Sequence, residues 1–196
     1  APWHGCTPTD LVFPFFLFAV GNALAFVMPR LQEAGTAAFL KKAITRSCLI
    51  FLIGFFLNWS PFIRWDNDHL TFKAWEYAGA NGNLIGIRIL GVLQRIALSY
   101  FFASLIIYFF KIRGAFVSAI VLLLGYWVLC MFFGNAADPY SLNGYFGLGV
   151  DKAILGESHM YHGEGVAFDP EGITSTLTAI VQVIFGYFVG FYMQQK

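Results

Sequence analysis

Residues 10–28 read DLVFPFFLFAVGNALAFVM, one carboxylate followed by eighteen residues without a charge. A helix needs roughly twenty mostly apolar residues to cross the hydrocarbon core of a bilayer, so this stretch decides the class of the chain. The residues in front of it, Trp3, His4, Thr7, Thr9 and Asp10, form a polar cluster that ends in an acid. A secretory signal would carry basic residues there. What Asp10 does at the lip of a membrane-length apolar run is the first question that the sequence poses.

Composition extends the reading to the whole chain. Of 196 residues, 58% are hydrophobic and 12% charged, about half the ~25% charged share of a soluble domain. The net charge of +1 supplies no basic face for nucleic acid. Cys6, Cys48 and Cys130 are widely spaced and suggest neither a disulfide framework nor a Cys-x-x-Cys site. Five stretches have the length and character of spans: 11–28, 45–63, 84–110, 115–133 and 173–193. The second is the weakest, and a re-entrant segment is its alternative. The expected fold is an all-α polytopic bundle of about five transmembrane helices with two long extracytoplasmic loops, forming one membrane domain over 1–196. The chain starts without Met and stops just past an apolar run, and is expected to be a piece of a larger polytopic protein.

Loop charges set the expected orientation, because basic residues concentrate on the cytoplasmic side. Arg30, Lys41, Lys42, Arg46, Lys111 and Arg113 fall in the first and third connections beside the single acid Glu33. The second and fourth connections hold Asp66, Asp68, Glu76, Asp138, Asp151, Glu157, Glu164 and Asp169. Those two loops and the amino terminus are therefore expected outside. Trp65, Trp75, Tyr77, Tyr140, Tyr145, Phe146 and Tyr161 give the loops aromatic faces, suited either to sugar rings or to an interfacial belt.

Two groups of residues do not belong in lipid. In LIGIRILGVLQRIALSYFF, residues 84–102, Arg88 and Arg95 stand seven apart, about 10 Å along a helix axis, and Gly91 and Ser99 complete the same expected stripe. An Arg near mid-membrane costs roughly 2.5 to 3.5 kcal/mol on insertion scales, so Arg95 must face protein, water or a ligand, as a structural ion pair or as part of a site. In FDPEGITSTLTAIVQVIFG, residues 168–186, Asp169 reads as an N-cap, Pro170 as the first helical position and Glu171 as a complement to the helix dipole. With Asp10 these make three acids facing Arg88, able to neutralise one another or to hold a cationic amine. His159 and His162 have metal-like spacing without a third ligand in register, so no metal is expected. Gly-x-Ser-x-Gly, P-loop and His-Glu-x-x-His motifs are absent from the sequence.

Three segments, APWHGCTPTDLVFPFFLFAVG, RILGVLQRIALSY and LGESHMYHGEGVAFDPEGITSTLTAI, resemble in order and spacing the heparan-alpha-glucosaminide N-acetyltransferase family of transmembrane acyltransferases, in its bacterial branch. The resemblance implies an enzyme with roughly twice this many spans that takes acetyl-CoA from the cytoplasm and acetylates a glucosamine amine on the far side. Asp10 and Pro14 match the family's DLVFP; Arg88, Gln94 and Arg95 match its R-x-x-G-V-L-Q-R; Asp169 and Glu171 match its DPEG; His159 and Tyr161 match a His-x-Tyr pair. The implied catalytic histidine would immediately precede Ala1. His4 occupies a position where the family has Asn or His, and counts with Arg88, Gln94, Arg95, His159, Asp169 and Glu171 among the expected acceptor-binding residues. Asp10 is expected to cap the first helix and to orient that histidine or bind the acceptor's ammonium. The polyanionic nucleotide of CoA would meet Arg30, Lys41, Lys42, Arg46, Lys111 and Arg113. Direct attack by the amine and an acetyl-histidine route both stay open, and so does a homodimer. The main rival is an amino-sugar permease, and an inert scaffold subunit is the third reading.

Overall fold

The computed structural model describes residues 7–66, 69–79, 84–135, 137–163 and 166–195. His4, Cys6, Asp68 and Glu164 lie outside the described residues. A 3-10 turn, Pro8–Leu11, leads into α1, Val12–Glu33, and then α2, Thr36–Trp59. Four short strands follow: β1 Ile63–Asp66, β2 His69–Phe72, β3 Glu76–Ala78 and β4 Leu84–Gly86. The remaining elements are α3 Val92–Phe133, α4 Phe146–Leu155, a 3-10 turn Glu157–His159 and α5 Thr176–Met193.

Among the described residues, three helical segments are long and apolar enough to cross a membrane: Pro8–Glu33, Val92–Phe133 and Thr176–Met193. The chain is an integral membrane protein. The 42 residues of α3 would extend about 63 Å if straight, twice the ~30 Å hydrocarbon core. The backbone breaks at Lys111, where φ is 58°. Arg95 in the first arm hydrogen-bonds to Ser175, Phe116 in the second lies 6.2 Å from Phe188, and Cys130 returns to a cavity wall shared with Ser175. Arms 92–110 and 112–133 therefore run antiparallel, reversing where Lys111 and Arg113 interrupt the apolar run.

The α1–α5 pair forms the centre of the bundle. A Cβ at Gly21 would overlap the Val183 carbonyl, and one at Gly186 would overlap the Phe18 carbonyl. Gly186 and Gly190 give α5 the small-xxx-small face that lets membrane helices approach closely. Leu17, Leu24, Met28, Phe39, Ile107 and Ile184 fill the core, while Phe15, Phe16, Phe26 and Phe116 point outward.

Several expected boundaries are corrected. The link between α1 and α2 is only Ala34 and Gly35, and Gly35 at φ 87° takes the left-handed turn. Lys41, Lys42 and Arg46 consequently ride on the first half of α2, which starts nine residues before the expected Thr45. The fold is not purely helical either. The loop after α2 forms two antiparallel hairpins, with Trp65 opposite Leu70 and Tyr77 opposite Ile85. They dock on the end of α2 through Phe55, Trp59, Phe62, Phe72 and Trp75, and the Trp59 indole N–H donates to the Lys73 carbonyl at 2.9 Å.

Candidate functional site

The segment between β4 and α3 carries Arg88, and it is extended rather than helical. The Ile87 N–H donates to the Trp75 carbonyl at 3.0 Å, and the Ile89 N–H to the His159 carbonyl at 3.3 Å. His159, buried, closes the arrangement: its Nδ1 is 2.8 Å from the Ile87 carbonyl, so that nitrogen carries the hydrogen, because a carbonyl oxygen only accepts. Its Nε2 lies 3.4 Å from Glu76. The chain becomes helical only at Val92, with Gly91 as the extended N-cap. Arg88 and Arg95 thus do not form the expected helical stripe; they reach one place from different backbones.

That place is the turn before α5. Asp169-Pro170-Glu171-Gly172 forms a β-turn closed by the Gly172 N–H donating to the Asp169 carbonyl at 3.0 Å, and the Glu171 N–H donates to Asp169 Oδ1 at 3.2 Å. Since α5 starts at Thr176 with Ser175 as its N-cap, Asp169 orders the turn and does not cap the helix. Both its oxygens also accept from Arg88, at 2.5 Å from Nη2 and 3.4 Å from Nε. Glu171 takes a second ion pair with Arg88 Nη2, and the guanidinium lies 5.0 Å from the centre of the Tyr161 ring. Burial opposes the charge on Arg88, but the hydrogen bonds and charges of Asp169 and Glu171 outweigh it and hold the group above its ordinary value.

Arg95 faces the protein interior, as expected. It donates to the Pro170 carbonyl at 2.6 Å and the Ser175 carbonyl at 3.0 Å, over the Phe13 ring at 5.3 Å. Gly91 and Ser99 are buried, and Arg95 is half-buried. Gln94, also buried, turns instead toward Gly54 of α2. Asp10 does not cap α1. Its Oδ2 accepts the Thr7 N–H at 2.7 Å and the Thr7 hydroxyl at 2.8 Å, closing the preceding 3-10 turn as a capping box. It still belongs to the Arg95 end of the bundle, one turn from Phe13.

The cationic residues occupy the other end. Arg30 lies in the last turn of α1, Lys41 and Lys42 near the start of α2, and Lys111 and Arg113 at the reversal of α3; Lys111 is 5.2 Å from the Tyr108 ring, whose hydroxyl meets Thr36 at 3.1 Å. Arg46 stands farther along α2, in the wall of an apolar cleft of about 390 Å³ with Val20, Leu24, Ile50, Ile96 and Tyr100. Among the described residues no group of three His, Cys, Asp or Glu side chains is placed to hold a metal.

Sequence reasoning passed over Asp151 as a loop acid. It is buried on α4 and accepts the Ile173 N–H at 2.9 Å, so it braces the turn from behind. Burial pushes its carboxyl up to about 6 from 3.8, partly offset by the backbone donors of Ile173 and Thr174. An acid with a raised folded-state value contributes stability that is fully present below pH 3.8 and lost as pH rises through 6. Relative to Asp151→Asn, the native protein should lose about 3 kcal/mol between pH 4 and pH 7. Thermal unfolding of both in detergent across that range checks it; parallel curves would mean that the carboxylate is solvated.

An integral membrane bundle whose polar end is locked by two arginines onto an acidic turn defines the class. No family model matches the chain. It is similar to the heparan-alpha-glucosaminide N-acetyltransferase of Mus musculus, 28% identical over 236 residues that cover 96% of this chain and 33% of the relative. The enzyme of the same name from Homo sapiens is 28% identical over 239 residues, 97% of this chain and 33% of its own length. These matches support a relationship at the level of the family. The chain spans about a third of the length of the curated relatives it matches.

Proposed function

We propose that this chain is part of a membrane acyltransferase that moves an acetyl group from acetyl-CoA at the cationic, cytoplasmic end to the amine of a glucosamine-type sugar at the acidic, extracytoplasmic end. The observation that carries the reading is the polarity of the bundle. An apolar cleft runs beside α1, α2 and α3 from Arg46 to Ile96, the neighbour of Arg95, and Arg95 and Arg88 clasp the 169–175 turn. The similarity to two N-acetyltransferases supports the same reaction. In this reading α1, α2, the two arms of α3 and α5 are five spans, with the amino terminus and both long loops outside a bacterial inner membrane.

The residues present fit acetyl-CoA. Arg30, Lys41, Lys42, Arg46, Lys111 and Arg113 are exposed cations suited to its phosphates, and the aliphatic cleft suits its thin arm. When bound, acetyl-CoA supplies the thioester carbonyl. Transfer to an amine needs that amine neutral and held against the carbonyl. Arg88 and Arg95 fix the turn that forms the mouth, His159 fixes the segment that carries Arg88, and Asp10 at the same end positions the base or the acceptor.

Full-length protein in proteoliposomes, given labelled acetyl-CoA on one side and a panel of amino sugars on the other, tests this. The expected result is an acetylated sugar on the side away from acetyl-CoA. Entry of unmodified sugar with no acetylated product would establish the permease instead.

A further inference from the structure

A second cavity, of about 340 Å³, opens on the far side of the arginine-locked turn. Three separate stretches of chain build it: the second arm of α3, the loop leading into α4, and residues 168–175. Its walls include Tyr126, Trp127, Tyr140, Tyr145, Phe168 and Asp169. We infer that this cavity seats the terminal pyranose ring of the acceptor, an inference that rests on the acyltransferase reading above.

Size comes first. Ligand pockets run from about 300 to 1,000 Å³, and this one, at the low end, suits one ring rather than an extended chain. Wall chemistry comes next. A pyranose has apolar C–H faces and a rim of hydroxyls, and aromatic side chains offer flat apolar surface with, in tyrosine, a polar tip. Five aromatic residues meet here, with Trp127 and Tyr140 at the open side, 54% and 43% exposed. Hydroxyls within form a chain: Tyr126 donates to the Tyr145 hydroxyl at 3.0 Å, and Tyr145 meets the Thr174 hydroxyl at 2.7 Å. Such a chain can reorient its protons to donate to or accept from a sugar hydroxyl.

Charge selects among sugars. Asp169 is shared between this cavity and the ion pair with Arg88. Asp151, Asp169 and Glu171 against Arg88 and Arg95, all on or against this turn, leave one negative charge there at neutral pH, which favours an amine-bearing ring over a uronic acid. Pro170 and Ser175, whose carbonyls accept from Arg95, line the cavity too, so a ring seated here lies against the turn that Arg95 holds. The cleft itself is walled by aliphatic side chains with Arg46 and a single tyrosine, Tyr100, and no comparable hydroxyl chain among the residues that line it, so the two cavities divide between an acyl carrier and a sugar.

The test uses full-length protein in proteoliposomes with glucosamine and its methyl glycoside as probes. Tyr126→Phe removes a hydroxyl without changing volume, and Trp127→Ala removes a stacking face at the exposed side; each should raise the acceptor KM at least ten-fold and leave the acetyl-CoA KM unchanged. Quenching of tryptophan fluorescence by glucosamine, measured without acetyl-CoA, should weaken in both variants and should exceed that by glucuronate. Acceptor KM and quenching within two-fold of the parent in both variants would overturn the seat while leaving the acyltransferase reading intact. Quenching that depends on Tyr126 in a protein without transfer would support the seat and remove the enzymatic reading.

Discussion

Arg88→Met is expected to destabilise the protein by about 3–5 kcal/mol, the range for breaking a buried ion pair from one side. Methionine keeps much of the bulk and none of the charge. It would leave the Asp169 carboxylate, whose side chain is fully buried, and Glu171, only 16% exposed, side by side without their ion-pair partner. Neutralising the whole cluster should rescue the loss. Replacing a whole buried ionic group by neutral groups is often close to neutral in stability, so Arg88→Met combined with Asp169→Asn and Glu171→Gln should recover most of the loss. Arg88→Lys should fall between, because an ammonium cannot reproduce the planar fork that reaches both carboxylates. Denaturation midpoints in detergent for the four proteins decide it. A single Met variant as stable as the parent would mean that the two carboxylates are solvated and that the turn is held by other contacts.

The elements visible in the sequence were those specified by local composition. The runs that became α1, α5 and the two arms of α3 are long, apolar and nearly uncharged, and no distant contact is needed to recognise them. The reversal at Lys111 was equally local, since cations there interrupt a run too long to cross once. The starts of α3 and α5 were hidden because apolarity does not stop where the helix does. Ile85, Ile87 and Ile89 alternate with Gly86, Arg88 and Leu90, a period of two that marks extended backbone. Asp169-Pro170-Glu171-Gly172 has Asp, Pro and Gly at the first, second and fourth places of a type I turn, a signal that competes with its reading as a helix start. The candidate site was legible in its charged members, and the residues of the proposed sugar seat were not legible. Arg88, Asp169 and Glu171 stood out because charges are costly near lipid, and the structure joins them. Tyr126, Tyr145 and Thr174 come from three segments and look like ordinary residues of an aromatic-rich membrane protein. Only the return of the second arm to the mouth brings their hydroxyls together.

Arg95→Met should lower acetyl transfer by about 100-fold, the effect of a displacement near 1 Å in the groups that position a reaction. The two hydrogen bonds of Arg95 go to the carbonyls of Pro170 and Ser175, one inside the Asp169 turn and one at the N-cap of α5, so a single guanidinium sets the distance between turn and helix. Hydrogen bonds to charged groups contribute roughly 1.5–3 kcal/mol each. Without them the turn keeps Arg88 and Asp151 but loses its tie to α3. The mouth should then shift while the bundle, packed through Gly21, Gly186 and Gly190, stays folded. Arg95→Lys can make one of the two bonds and should recover part of the activity. Turnover should fall in both variants more than acetyl-CoA KM rises, because the aliphatic cleft lies on the other face of α3, at Ile96 and Tyr100. Transfer at the parental rate in a folded Arg95→Met protein would show that the turn is positioned without Arg95, and the arginine would then be a structural plug. A rise in acetyl-CoA KM at constant turnover would place the residue on the carrier's path rather than at the acceptor's mouth.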